Sequence, residues 1–151
     1  MLPQWHVLSG FIFSYILVYF FNLSVYAGII IFLASVFIDL DHYFRYILKN
    51  KDYSLIKFIQ LSNKETKRFR RLSKQEKFQY KIPNFIFHGI EFFAVIFFLS
   101  SFNKIFLWIF IGSIFHMIFD FIDMYHHKDP FFIKISQIYV FIKNKNKKEL
   151  E

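Results

Sequence analysis

The polarity of this chain alternates in blocks. Apolar residues run from Trp5 to about Phe21, from Val25 to about Ile38, from about Phe85 to Leu99, and from Ile105 to about Ile122. Crossing a bilayer takes about 20 mostly apolar residues, with a working range of about 17–25. The first and fourth blocks reach that length directly. The second reaches it with "IDLDHYF" included, and the third when counted from Pro83 or Asn84. The pattern predicts four transmembrane helices, over about residues 5–21, 25–44, 84–100 and 105–125. No basic residue precedes the first block and no A-x-A-like site follows it, so it reads as a span and not as a signal peptide.

The remaining stretches are polar or mixed. Residues 45–83 form a basic loop whose apolar positions (Leu55, Ile56, Phe58, Ile59, Leu61) come early, the pattern of a helix lying on a membrane surface. After Pro130, "FFIKISQIYVFI" is too short, and too interrupted by Lys134 and Gln137, for a span. It predicts an interfacial segment over about 131–142, followed by a solvated basic tail, 143–151. The expected fold class is an all-α integral membrane protein. A single membrane domain, 1–142, holds a four-helix transmembrane bundle plus interfacial amphipathic segments.

Charge sets the expected orientation. Residues 43–83 hold twelve Lys or Arg against three acids, whereas the short links "NLS" and "SSFNK" contribute one Lys between them. By the positive-inside rule the long loop and the tail are cytoplasmic, and with four spans both termini share that side. The expected location is the cell (inner) membrane. The net charge of +8 is then accounted for by topology and by anionic headgroups as partners, and no nucleic-acid motif accompanies it. There is no cysteine, so any metal must be held by nitrogen and oxygen.

The ionisable groups inside the apolar blocks gather at that same side. His6 opens the first helix; Asp39, Asp41 and His42 close the second; His88 and Glu91 open the third; His116, Asp120 and Asp123 lie late in the fourth. In a helix, residues three, four and seven apart share a face. His116, Asp120 and Asp123 have that spacing, as do Asn84, His88 and Glu91, and Asp39 with His42. Asp41 points away from Asp39 on a regular helix and suits a fraying end or a supporting role. Burying five carboxylates near a bilayer interface costs on the order of 5–10 kcal/mol in sum. Few cationic side chains are at hand to offset it, and imidazoles with carboxylates are natural ligands of a divalent cation. The candidate ligands are His6, Asp39, Asp41, His42, His88, His116 and Asp120, with Asn84 and Asp123 as supporting groups. The cofactor expected is a divalent metal, zinc first, as one or two ions. His126, His127 and Asp129 read as interfacial.

The order of these motifs resembles the membrane-bound metal-dependent hydrolase family: "WH" at 5–6, "IDLDH" at 38–42, "FHGIE" at 87–91 and "HMIFD" at 116–120. The chain departs from the family pattern at Pro83, where a histidine is expected, and at Phe87 and Gly89, which replace Thr and Ser; Glu91 lies outside the pattern. The resemblance implies a metal-dependent hydrolase. On that reading a metal-activated water would attack an ester or phosphoester with Glu91 as general base, and, by analogy, a membrane-embedded site beside a basic surface would take a lipid or amphiphilic phosphoester. The same residues also fit a non-enzymatic metal-binding membrane protein with a structural or regulatory cluster. They fit an ion transporter less well, because the outer halves of the spans carry no ionisable group beyond tyrosine.

Overall fold

The structure is a computed structural model that describes residues 3–147; residues 148–151 of the expected tail lie outside the described residues. Among the described residues the chain is all-helical, with no β-strand. In chain order come α1 (Pro3–Phe20), α2 (Val25–Phe37), α3 (Leu40–Asn50), α4 (Leu55–Arg71), α5 (Lys74–Lys77), α6 (Ile90–Ser100), α7 (Lys104–His126), α8 (Phe132–Ile135) and α9 (Gln137–Lys143). Short 3-10 turns occur at Ile86–His88 and Asn144–Asn146. Contacts divide the chain into two compact units, Met1–Ile38 with Ile90–Asp123, and Asp39–Gly89 with Met124–Glu151.

Two stretches are long and apolar enough to cross a membrane, Val25–Asn50 and Lys104–His126. The other two expected spans are shorter as helices, Trp5–Phe20 and Ile90–Ser100. At 1.5 Å per residue the second of these is only about 16 Å long. Its helix begins at Ile90 and not near residue 84, because the preceding backbone is extended at Phe85 (φ −128°, ψ 106°) and Gly89 (φ −117°, ψ 156°). The helix expected over 25–44 is interrupted at Ile38–Asp39 and runs on to Asn50. Past the interruption the His42 N–H reaches back only three residues, to the Asp39 carbonyl at 3.1 Å.

In the first unit, α1, α2 and α7 pack through small residues, and α6 joins them through aromatic rings. A side chain at Gly112 would collide with the backbone carbonyl of Ile31 and lie 3.0 Å from Ala34 Cβ, so α7 meets α2 almost backbone to backbone. Gly28 faces Val18, and Gly10 faces the Ser35 hydroxyl. These contacts make α1 antiparallel to α2. Phe13 stacks on Phe115 at 3.9 Å, and Phe110 meets Phe93 and Phe97 at 6.2 and 5.3 Å, which ties α7 to α1 and to α6. The polarity of the unit is inverted relative to a water-soluble bundle. His6, Gly10 and Ser14 line the inner face of α1, while Phe11, Ile12, Tyr15, Ile16, Tyr19 and Phe20 are exposed. Ser35, Ser113, His116 and Asp120 are likewise buried.

In the second unit, α3 and α4 form a helical hairpin. The C-terminal segment clasps residues 82–85: the Asn144 side chain accepts from Ile82 N (3.0 Å) and donates to Ile82 O (2.7 Å), while Asn84 Nδ2 donates to Gln137 O (2.8 Å). Lys77 is fully buried. Its ammonium donates to Asp129 Oδ1 at 2.8 Å and to the His127 carbonyl at 3.0 Å, which ties α5 to the residues after α7. Asp129 is thus a structural partner of Lys77, and the His126 side chain is exposed.

The close approach of α2 and α7 yields a ranking. Gly112→Ala puts a methyl against rigid backbone and should destabilise by about 1–3 kcal/mol. Gly10→Ala meets the movable Ser35 hydroxyl and should cost less. Equilibrium unfolding in detergent of the two variants checks this, and equal losses would contradict it.

Candidate metal centre

Each unit carries its own histidine–aspartate cluster. In the first, α7 buries Gly112, Ser113, His116 and Asp120 along one stripe at the spacing of successive turns. His116 Nδ1 lies 2.8 Å from the carbonyl of Ser35. A carbonyl can only accept, so Nδ1 holds the proton and donates. The other ring nitrogen, Nε2, lies 3.1 Å from Asp120 Oδ2. The second oxygen of Asp120 lies 3.5 Å from His6 Nε2, and the two imidazoles stack at 4.1 Å between centroids. Asp120 therefore spans two histidines, one oxygen to each, with His6, His116 and Asp120 all buried.

In the second unit the support is a carboxylate. Asp41, buried in the first turn of α3, accepts at Oδ2 from the Phe87 N–H and from His88 Nδ1, both at 3.0 Å. His88 is completely buried, and its Nε2 lies 3.2 Å from Asp39 Oδ1. The same Asp39 oxygen is 3.6 Å from His42 Nε2, and Asp41 Oδ1 is 3.7 Å from that nitrogen. The His42 ring stacks on Phe85 at 3.7 Å. Asp39, His42 and His88 each offer one ligand atom, all within 4.8 Å of one another, and could hold a metal ion.

These distances have a chemical consequence. In both clusters the Nδ1 of a buried histidine is committed as a donor, so a neutral ring presents the lone pair of Nε2 to a carboxylate oxygen. Two acceptors at 3.1 and 3.2 Å repel unless positive charge lies between them. Either a proton, held on the ring or on the carboxyl group, or a cation supplies it. Ligands on a tetrahedral zinc ion, at about 2.0–2.1 Å from the metal, stand roughly 3.3 Å apart. The spacings of 3.2 and 3.6 Å about Asp39 Oδ1 bracket that value. A histidine whose other nitrogen donates to a carboxylate or a carbonyl is also the usual supporting arrangement behind metal ligands.

The remaining sequence candidates fall as follows. Glu91 is half-buried in the first turn of α6, and Asp123 is half-buried one turn beyond Asp120. Asn84, expected on a helical face with His88, lies in extended chain, with Nδ2 on the Gln137 carbonyl and Oδ1 3.3 Å from Asn144 Nδ2. Sequence reasoning missed the groups that position His88. Gln137 Oε1 accepts from Phe85 N at 2.8 Å, and Gln137 Nε2 donates to Ile133 O at 2.8 Å. The signal was present: Gln137 and Asn144 are polar positions seven residues apart in an otherwise apolar and basic segment.

Comparison of the chain with protein-family models, with curated proteins and with solved structures finds no match.

Gln137 gives a direct check on how the His88 segment is held. Gln137→Leu leaves the buried Phe85 N–H without its acceptor, at a cost of about 1–3 kcal/mol. Amide exchange across residues 82–88 should accelerate by about 5- to 150-fold while α7 stays protected. Unchanged exchange there would show that the latch does not hold this segment.

Proposed function

We propose that this chain is a membrane-embedded, metal-dependent hydrolase of an ester or phosphoester, and a divergent relative of the membrane-bound metal-dependent hydrolases that its motifs resemble. The observation that carries the metal is the pairing of a donor-committed Nδ1 with a carboxylate facing Nε2, made twice, at His116 and at His88. His6, His116 and Asp120 would hold metal in the first unit, and Asp39, His42 and His88 in the second, with Asp41 orienting His88. Zinc suits the nitrogen and oxygen donors, as one or two ions. When bound, the metal supplies a nucleophilic water at neutral pH and polarises the bond to be broken. Glu91 is the proposed general base, taking the proton of the attacking water and returning it to the leaving group.

The membrane reading rests on inverted polarity. Large apolar side chains face outward along α1, α2, α6 and α7, while His, Ser and Asp face inward. In water such a surface would aggregate, and in a bilayer it is solvated. We place α1 across the membrane as well, as the antiparallel partner of α2, and α6 together with the chain that leads into it as the remaining crossing. Both termini and the basic loop then lie in the cytoplasm of a multi-pass inner-membrane protein. A site at that depth suits a lipid-linked or amphiphilic substrate.

Elemental analysis of detergent-purified protein should find about one or two equivalents of a transition metal. Asp120→Ala and His88→Ala should each lower that content while circular dichroism stays helical. Well-folded, metal-free protein, purified without chelator, would mean that protons bridge these contacts, and the proposal would fail. Glu91→Gln separates enzyme from metal binder. Its metal content should be unchanged, and turnover on a panel of phosphoester lipids should fall by about 10²–10⁴-fold. Equal activity in this variant would remove Glu91 as the base.

A further inference from the structure

The second unit carries a surface that the metal centre does not use. The α3–α4 hairpin is held rigidly: Tyr43 Oη donates to Tyr53 O at 2.7 Å, and Phe58 packs against Tyr43 and Tyr46 at 5.4 and 5.5 Å. Asp52 closes the turn, accepting from Ser54 N (2.8 Å) and Lys57 Nζ (2.9 Å). The Lys57 hydrogen bond and the Ser54 N–H hold its carboxyl below the usual range. No residue of α4 is buried.

Exposed chemistry changes along the hairpin. Leu48 (81% exposed), Tyr53 (76%), Leu55, Ile56 (71%) and Ile59 make an apolar tip. Beyond it, Lys64, Lys67, Arg68 and Arg71 join Gln60 and Asn63 to line one shallow groove along a single face of α4. Glu65, the one acid in the helix, lies 3.6 Å from Lys49.

An apolar tip followed by a cationic stripe fits an interface whose own chemistry changes in the same order, acyl chain and then phosphate. A second copy docking on this face would bring two cationic stripes together. We propose that the α3–α4 hairpin docks on an anionic bilayer surface, with Leu55, Ile56 and Ile59 at the headgroup–acyl boundary and Lys64, Lys67, Arg68 and Arg71 on lipid phosphates. The inference is independent of the metal centre but rests on the membrane reading above.

The chain has no cysteine, so a single introduced one is a unique label site. Ile56→Cys and, separately, Tyr15→Cys would carry an environment-sensitive fluorophore in full-length protein. The proteins would sit in nanodiscs of phosphatidylcholine with or without phosphatidylglycerol, each containing nitroxide lipids. The Ile56 label should be quenched by shallow nitroxides in the anionic discs, and much less in neutral discs or high salt. Each cation is worth about fivefold in the docked-to-free ratio, so Lys64→Gln with Lys67→Gln should lower it about 25-fold.

Equal quenching in neutral and anionic discs would overturn the role of the phosphates. A quenched Tyr15 label beside an unquenched Ile56 label would overturn docking alone. Energy transfer between Ile56 labels without lipid quenching would assign the face to a second copy and overturn it too. An unquenched Tyr15 label would defeat the membrane reading, and docking with it.

Discussion

The first unit depends on one close approach, the absence of a side chain at Gly112 that lets α7 lie against the Ile31 carbonyl of α2. One turn further along both helices, the next pair in register is Ser35 and His116, and there the contact becomes a hydrogen bond from Nδ1 to the carbonyl at 2.8 Å. The same geometry thus sets helix separation at one level and the tautomer of a buried histidine at the next. A bulkier residue at 112 would push the His116 ring away from its acceptor, and the reason for Nε2 to face Asp120 would go with it. Packing by small residues is how helices associate where lipid removes the hydrophobic drive. Here it also makes a carbonyl on α2 reachable by a side chain on α7.

The spacing of the candidate ligands on the fourth helix was legible in the sequence because helices impose it. His116 and Asp120 are four apart on a helix that does run from Lys104 to His126, so their shared face followed from periodicity. His6, buried on α1, was legible from its place instead, as the histidine that opens the first apolar block on the side where the other ionisable groups gather. What periodicity could not show was backbone that is not helical. Asn84, His88 and Glu91 look like one face at helical spacing, yet Phe85 and Gly89 are extended. Asn84 accordingly turns to Gln137, and His88 is set by Asp41. The break at Ile38–Asp39 was only half legible: the apolar block stops at Ile38 and Asp41 suits a fraying end, but no glycine or proline marks the place. Hydropathy counts apolar residues and does not register where hydrogen bonding stops, so four blocks of adequate length yield two helices that meet the length to cross.

Asp41 shows why the break matters. Two residues from Asp39 on an unbroken helix, it would face the opposite side. With the turn at Ile38–Asp39, His42 Nε2 comes within 3.6 and 3.7 Å of both carboxylates. Asp41 then uses its other oxygen on His88 and on the Phe87 amide. Two acids adjacent to the same pair of imidazoles would repel in a buried setting, and the amide and ring donors on Asp41 remove part of that repulsion.

The two clusters are consequently not equivalent. The first opposes one carboxylate, Asp120, to two histidines, and the support behind His116 is a neutral carbonyl. The second opposes two carboxylates to two histidines, and the support behind His88 is itself an anion. A carboxylate behind an imidazole raises the basicity of the far nitrogen more than a carbonyl does, and an extra negative charge offsets more of a dication. The Asp39–His42–His88 set is therefore the stronger electrostatic trap. The His6–His116–Asp120 set, with a single carboxylate, would leave a dication more of its positive charge, and on the proposed reading it would be the more electrophilic of the two. If the two divide their labour, the physical order is a tighter, more neutral set carried by the second unit and a more electrophilic one carried by the first.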